Sequence, residues 1–189
     1  MDVVLSILGN LYNVDNRVKN MQYSKAVLDS IQVINTALQK LGKQTIFENP
    51  DINIEWKDSF VQFTLIFDKE KRKTKNPALE AEPSGLELFF FIYDGIEIHL
   101  NIFPEALVWS AGEIENDKMK IENEIIMLLT SIIKVEYHGS KYRGYRKVSF
   151  LDNNRHCIDT WEIRLGLFCM KTKRNYKVEE YAPFYDRID

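Results

Sequence analysis

The chain is poor in the residues that punctuate or staple a fold. Its 189 positions hold eight glycines and five prolines, too few for a linker-rich or disordered protein. It has two cysteines, Cys157 and Cys169, and no CxxC pair. A secreted scaffold of this size ordinarily carries more. Both are read as reduced thiols of a cytoplasmic protein, with a single disulfide across a hairpin as the alternative. No apolar run reaches the roughly 18 residues that a membrane-spanning helix needs. The opening "MDVVLSILGNLYNV" is mildly apolar, but it begins with Asp2 rather than a basic residue and is broken at Gly9 and Asn10. No small-x-small cleavage site follows, so the expectation is a protein that stays where it is made. Excess positive charge is missing too. The net charge is -3, which excludes a molecule that attracts nucleic acid over its whole surface. Nor are there local catalytic signatures: no HExxH, GxSxG, GxGxxG or GxxxxGK[ST] occurs, and no acidic loop has calcium spacing. No metal or cofactor is expected, and the chain is read as non-enzymatic. A catalytic site assembled from distant residues stays open.

What is present is the mix of a folded domain, 45% apolar and 28% charged, long enough for one core. From Ser24 to Leu41, Val27, Ile31, Ile34, Leu38 and Leu41 recur at helical spacing, and Gly42 sits where a helix stops. Val3 to Tyr12 suggests a shorter helix before it. The period then changes to two. In "FVQFTLIF", Val61, Phe63, Leu65 and Phe67 share one face. Residues 68–85 have no period and read as one long loop. In "LELFFFIYDGIEIHLNIF", Asp94-Gly95 signals a tight hairpin. With Tyr93 and Ile96 as the closing pair, the core face would be Phe89, Phe91, Tyr93, Ile96, Ile98, Leu100 and Ile102. Leu88, Phe90 and Ile92 would lie on a mixed second face with Glu97, His99 and Asn101, covered by the N-terminal helix or offered to a partner. "ALVWSA" makes a short strand closed by Gly112. Lys118, Ile121, Ile125, Leu128, Leu129 and Ile132 stripe a second helix, with Asn116 or Asp117 as its N-cap. "KVEYH", "YRKVSFL" and "WEIRLGLFCMKTK" read as strands, "LDNNRH" as a turn, and "EEYAPFY" as an aromatic end packed on the sheet. The sum is one α+β domain: helical over 1–45, strands over 52–110 with the loop 68–85, a helix over 114–133, and strands over 134–185, forming an antiparallel sheet with one long inserted helix.

Three constellations carry chemistry. "YHGSKYRGYRK" (137–147) places Lys141, Tyr142, Arg143, Tyr145 and Arg146 in a basic-aromatic stretch without an acid. With the basic loop 69–75 it suits phosphates and stacked bases, or an acidic protein. The plainer reading is a hairpin with Gly139 and Gly144 at its turn and half-buried tyrosines. Glu113, Glu115, Asp117 and Glu122 gather at the start of the second helix. They suit a basic partner, or simply the positive end of the helix dipole. Glu97, His99 and Asn101 line one strand face, where they suit a metal or proton relay or are ordinary exposed polar groups. His156 and Cys157 are adjacent on an extended chain and point apart, a poor base–nucleophile pair.

Taken as a pattern, the N-terminal helical part, "FFFIYDGIEIHLNIF", a helix, "IIKVEYHGSKYRGYRKVSFLD" and the terminal "YAPFY" resemble bacterial immunity proteins of polymorphic toxin systems, including contact-dependent growth inhibition. The Lys-, Ile- and Asn-leaning composition is similar to theirs. The resemblance implies a small, cytoplasmic, non-enzymatic protein that binds a cognate toxin domain and blocks its active site or its access to substrate. It carries over no individual residue. The alternative is a nucleic-acid-binding or regulatory module that uses loops 69–75 and 141–147.

Overall fold

The computed structural model describes residues 24–57, 60–66, 72–74, 86–101, 106–139, 144–165 and 176–186. The candidates Lys141, Tyr142 and Arg143, the proposed helix Val3 to Tyr12, Phe67, Ile102 and Cys169 lie outside them.

The architecture is α+β, with two antiparallel sheets where a single one was expected. The first sheet joins β1 (Ile52–Trp56), β2 (Val61–Ile66), β4 (Glu87–Ile92), β5 (Gly95–Leu100) and β6 (Ala106–Ser110) in that spatial order. The second has the order β3 (Arg72–Thr74), β10 (Tyr176–Tyr181), β7 (Ile132–Gly139), β8 (Gly144–Leu151) and β9 (Cys157–Leu165). β3 falls inside the stretch read as a loop. Three residues are too few to show a period, and their pairing with β10 is what makes them a strand.

Helix α1 (Lys25–Lys40) begins where the Ser24 side chain accepts from the Val27 N–H. It ends where Gly42, at φ 64°, lets the Gly42 and Lys43 N–H groups return to the carbonyls of Gln39 and Leu38. Its predicted stripe is buried except at Val27, which is only partly covered: Ile31, Ile34, Leu38 and Leu41 are all at most 3% exposed. The helix packs on β4 and β5, with α2 (Ala111–Asn116) and α3 (Lys118–Thr130) beside it. Gly112 therefore lies inside a helix rather than after a strand. Helix α3 stops short of residue 133. Thr130 and Ser131 turn their hydroxyls back onto the carbonyls of Ile126 and Met127, and the β-branched run beyond them favours the extended chain of β7.

The β4–β5 hairpin corrects the expected core. Ile92 pairs with Ile96, so three residues, Tyr93 to Gly95, form the connection. That moves β4 by one residue and reverses its faces. Leu88, Phe90, Ile92, Ile96, Ile98 and Leu100 are the buried set, each at most 1% exposed, and α1 covers them. Phe89, Phe91 and Tyr93 face outward. The neighbouring strand decides this. β2 has one unambiguous apolar face, and its Val61, Phe63 and Leu65 pair with Ile92, Phe90 and Leu88. Gly95 is required by a close approach as well as a turn. A Cβ there would sit 2.3 Å from the Trp109 carbonyl oxygen of β6, at a φ of +155°.

The second sheet adds Ile133, Val135, Val148, Phe150 and Tyr181 to the same contiguous core. The C-terminal segment ties the parts together. The Tyr185 N–H donates to the Leu129 carbonyl at 3.0 Å, and Asn49 Nδ2 donates to the Tyr185 hydroxyl at 3.1 Å.

Candidate functional site

Three places in the fold concentrate chemically capable side chains. The first is the outward face of the first sheet. The pairing register sets Phe89 beside His99 and Phe91 beside Glu97. Phe60 meets Phe91 edge-on at 5.6 Å, and the His99 ring meets it at 5.2 Å and 90°. The Tyr93 hydroxyl donates to Glu97 Oε2 at 2.8 Å, and His99 Nε2 lies 2.5 Å from Glu97 Oε1. Hydrogen bonding to Glu97, then burial, holds the Tyr93 phenol above its ordinary pKa. Tyr93 is 39% exposed and Val108, across from Glu97 on β6, is 57% exposed. Glu97 and His99 do share a face, as their spacing requires. Asn101 is used differently, accepting from the Glu87 N–H at 3.2 Å. Among the described residues no group of His, Cys, Asp or Glu is arranged to hold a metal.

The second place is the acidic start of the helical pair. Glu113 closes a capping box with Ser110, and backbone and side-chain hydrogen bonds from Ser110 hold its carboxyl below the ordinary range. Glu115 pairs with Lys25 at 2.6 Å, and Glu122 with Lys40 at 2.5 Å. Asp117 stands at the N-cap of α3 without a side-chain capping bond, while Lys118 pairs with Asp29 at 3.3 Å. Two of these four acids, Glu115 and Glu122, therefore tie α1 to α2 and α3, and Lys118–Asp29 adds a third link.

The third was not legible from sequence spacing. On the core face of the second sheet, Glu179 is completely buried and Lys177 Nζ lies 3.0 Å from its Oε1. The hydroxyls of Tyr137 and Tyr181 donate to Oε2 at 3.1 and 3.0 Å. Lys177 and Arg146 both lie over the Tyr137 ring, at 5.2 and 5.5 Å. Burial, then the Glu179 charge, pushes the Tyr137 phenol far above its ordinary range. The two described flanks of the basic-aromatic stretch 137–147 are thus paired antiparallel strands. Gly139 pairs with Gly144, Tyr145 is buried at 2% exposure, and Arg146 turns to the opposite face from Tyr145. On that other face, Arg155, at φ 67°, forms a two-pronged bond to buried Glu180, at 3.0 and 2.7 Å. Cys157 is an exposed free thiol at the start of β9.

Tyr185 gives a measurable pH dependence. Burial is the main cause that pushes its phenol up to about 12, against the Asn49 hydrogen bond, which lowers it. A raised native pKa stabilises the fold fully below the ordinary phenol value of 10.0 and loses that contribution as pH rises to about 12. Stability followed by urea denaturation should fall across this window, and Tyr185→Phe should fall less steeply.

Comparison with protein-family models, curated proteins and solved structures finds no match to this chain. The described residues form an α+β fold of two antiparallel sheets around one core. Among the described residues, no helix is long and apolar enough to cross a membrane.

Proposed function

We propose that this protein is a non-enzymatic, cytoplasmic, protein-binding inhibitor, an immunity protein that neutralises a cognate bacterial toxin domain by direct binding. The observation that carries the reading is the outward face of the first sheet, where Phe91 meets Phe60 and Phe89 and lies beside Glu97, whose carboxylate contacts Tyr93 and His99. Half-exposed aromatic rings on a rigid sheet are the kind of anchor that dominates protein interfaces. Their frame is preorganised, so docking immobilises few side chains. The resemblance in sequence pattern to immunity proteins points the same way. The basic-loop alternative draws less support, since Arg146 lies inward over Tyr137 and Tyr145 is buried.

The test is capture by the tagged protein from nuclease-treated lysate with a high-salt wash. The reading expects a one-to-one complex with a single protein that is toxic when expressed alone and harmless when expressed with this chain. Recovery of nucleic acid only, and only at low salt without nuclease, would replace the reading with the basic-loop alternative.

A further inference from the structure

The outward sheet face also has a definite chemical preference, and this inference rests on its being the docking surface. Along β4, β5 and β1 the residues on that side include Glu87, Phe89 and Phe91, then Glu97 and His99, then Asn53 and Glu55. Three carboxylates (Glu55, Glu87 and Glu97) therefore share a face with Lys57, which pairs with Glu55 at 2.8 Å. Phe89 and Phe91 neighbour each other on the outward side of β4, with ring centroids 6.2 Å apart and 24° between their planes. Glu97 stands next to Phe91 in the register. Its two oxygens already accept from Tyr93 and contact His99, which fixes its direction, and a carboxylate has lone pairs left for a further donor.

The geometry points to this surface as a site for a basic segment of a protein partner, with an arginine side chain lying over Phe89 and Phe91 and its guanidinium reaching Glu97. Arginine suits the site better than lysine. Its planar group stacks on rings and meets a carboxylate with two donors at once, while its weak hydration lowers the desolvation cost. The contact is partly screened, so it weakens with salt.

The test needs no toxin. The isotopically labelled full chain is titrated with acetyl-Gly-Arg-Gly-Arg-Gly-amide and with the same peptide carrying citrulline, which keeps the shape and loses the charge. The NMR signals of Phe89, Phe91, Glu97 and His99 should shift saturably with the arginine peptide. Citrulline should leave them in place, and Glu97→Gln should weaken the arginine peptide at least about tenfold. Equal response to both peptides, shifts confined to another surface, or wild-type binding by Glu97→Gln would overturn the assignment. The two readings fail separately. Binding of the arginine peptide by a protein that neutralises no toxin leaves this surface assigned and removes the inhibitor reading. A toxin neutralised equally well by Glu97→Gln and Phe91→Ala keeps the inhibitor reading and removes this surface.

Discussion

Replacing Phe90 by alanine is expected to destabilise the fold by about 3–5 kcal/mol, while replacing its neighbour Phe91 costs about 1–2 kcal/mol. Phe90 is 1% exposed, pairs with Phe63 and Ile98, and lies in the face that α1 covers. Truncating it leaves a cavity between the sheet and the helix. Phe91 is half-buried on the outward face, where alanine exposes its neighbours to water instead of opening a void. Urea denaturation of the two variants, compared at unchanged slope, measures the difference. A larger loss for Phe91→Ala would mean that the hairpin pairs Tyr93 with Ile96 and that its faces are reversed.

That contrast also marks how far the hairpin was legible. Two strands meeting at Asp94-Gly95 were readable, because few sequences tolerate the geometry there. The face was not. "LFFFI" is apolar at every position, so either register buries a continuous set. Only the partner strand β2, with Gln62 and Thr64 on its other side, breaks the tie, and a hairpin read in isolation does not contain that information. Helix α1 was readable almost to the residue from its stripe and Gly42, and the structure adds the Ser24 cap. At residues 130–133 the helical stripe and the β-branched run compete, and pairing of β7 with β8 and β10 settles it.

The second large effect is in the buried charge cluster. Glu179→Gln is expected to cost about 3–5 kcal/mol, because it removes the buried carboxylate that pairs with the Lys177 ammonium, itself only 11% exposed. Lys177→Met should cost a similar amount, since it takes the ammonium away from the buried Glu179 carboxylate, which the hydroxyls of Tyr137 and Tyr181 do not neutralise. The double variant Lys177→Met with Glu179→Met should lose much less than the sum, since both members of the buried pair are removed together. Equilibrium unfolding of all three variants decides the matter. Additive losses would mean that the two groups act independently and that the pair is not the organising contact. Alternation in "YKVEEY" could not reveal this cluster. Lys177 and Glu179 share one face of β10, Val178 and Glu180 the other, so neither face reads as core. It becomes a buried site only when the register lays Tyr137 beside Lys177.

The acidic candidates divide along the same line. Their place at a helix start was legible from Glu113, Glu115 and Asp117. That Lys25 and Lys40 would claim Glu115 and Glu122 was not, because the pairs span 90 and 82 residues. No sequence pattern links an α1 lysine to an acid that far along the chain.

The most direct test of the central claim is an inhibition titration. Any protein recovered with the tagged chain is assayed for its own activity while purified chain is added from none to excess. The account predicts that activity falls to background at one equivalent, and that Phe91→Ala and Glu97→Gln require more protein for the same effect. Full activity of the captured protein in the presence of excess wild-type chain would contradict it.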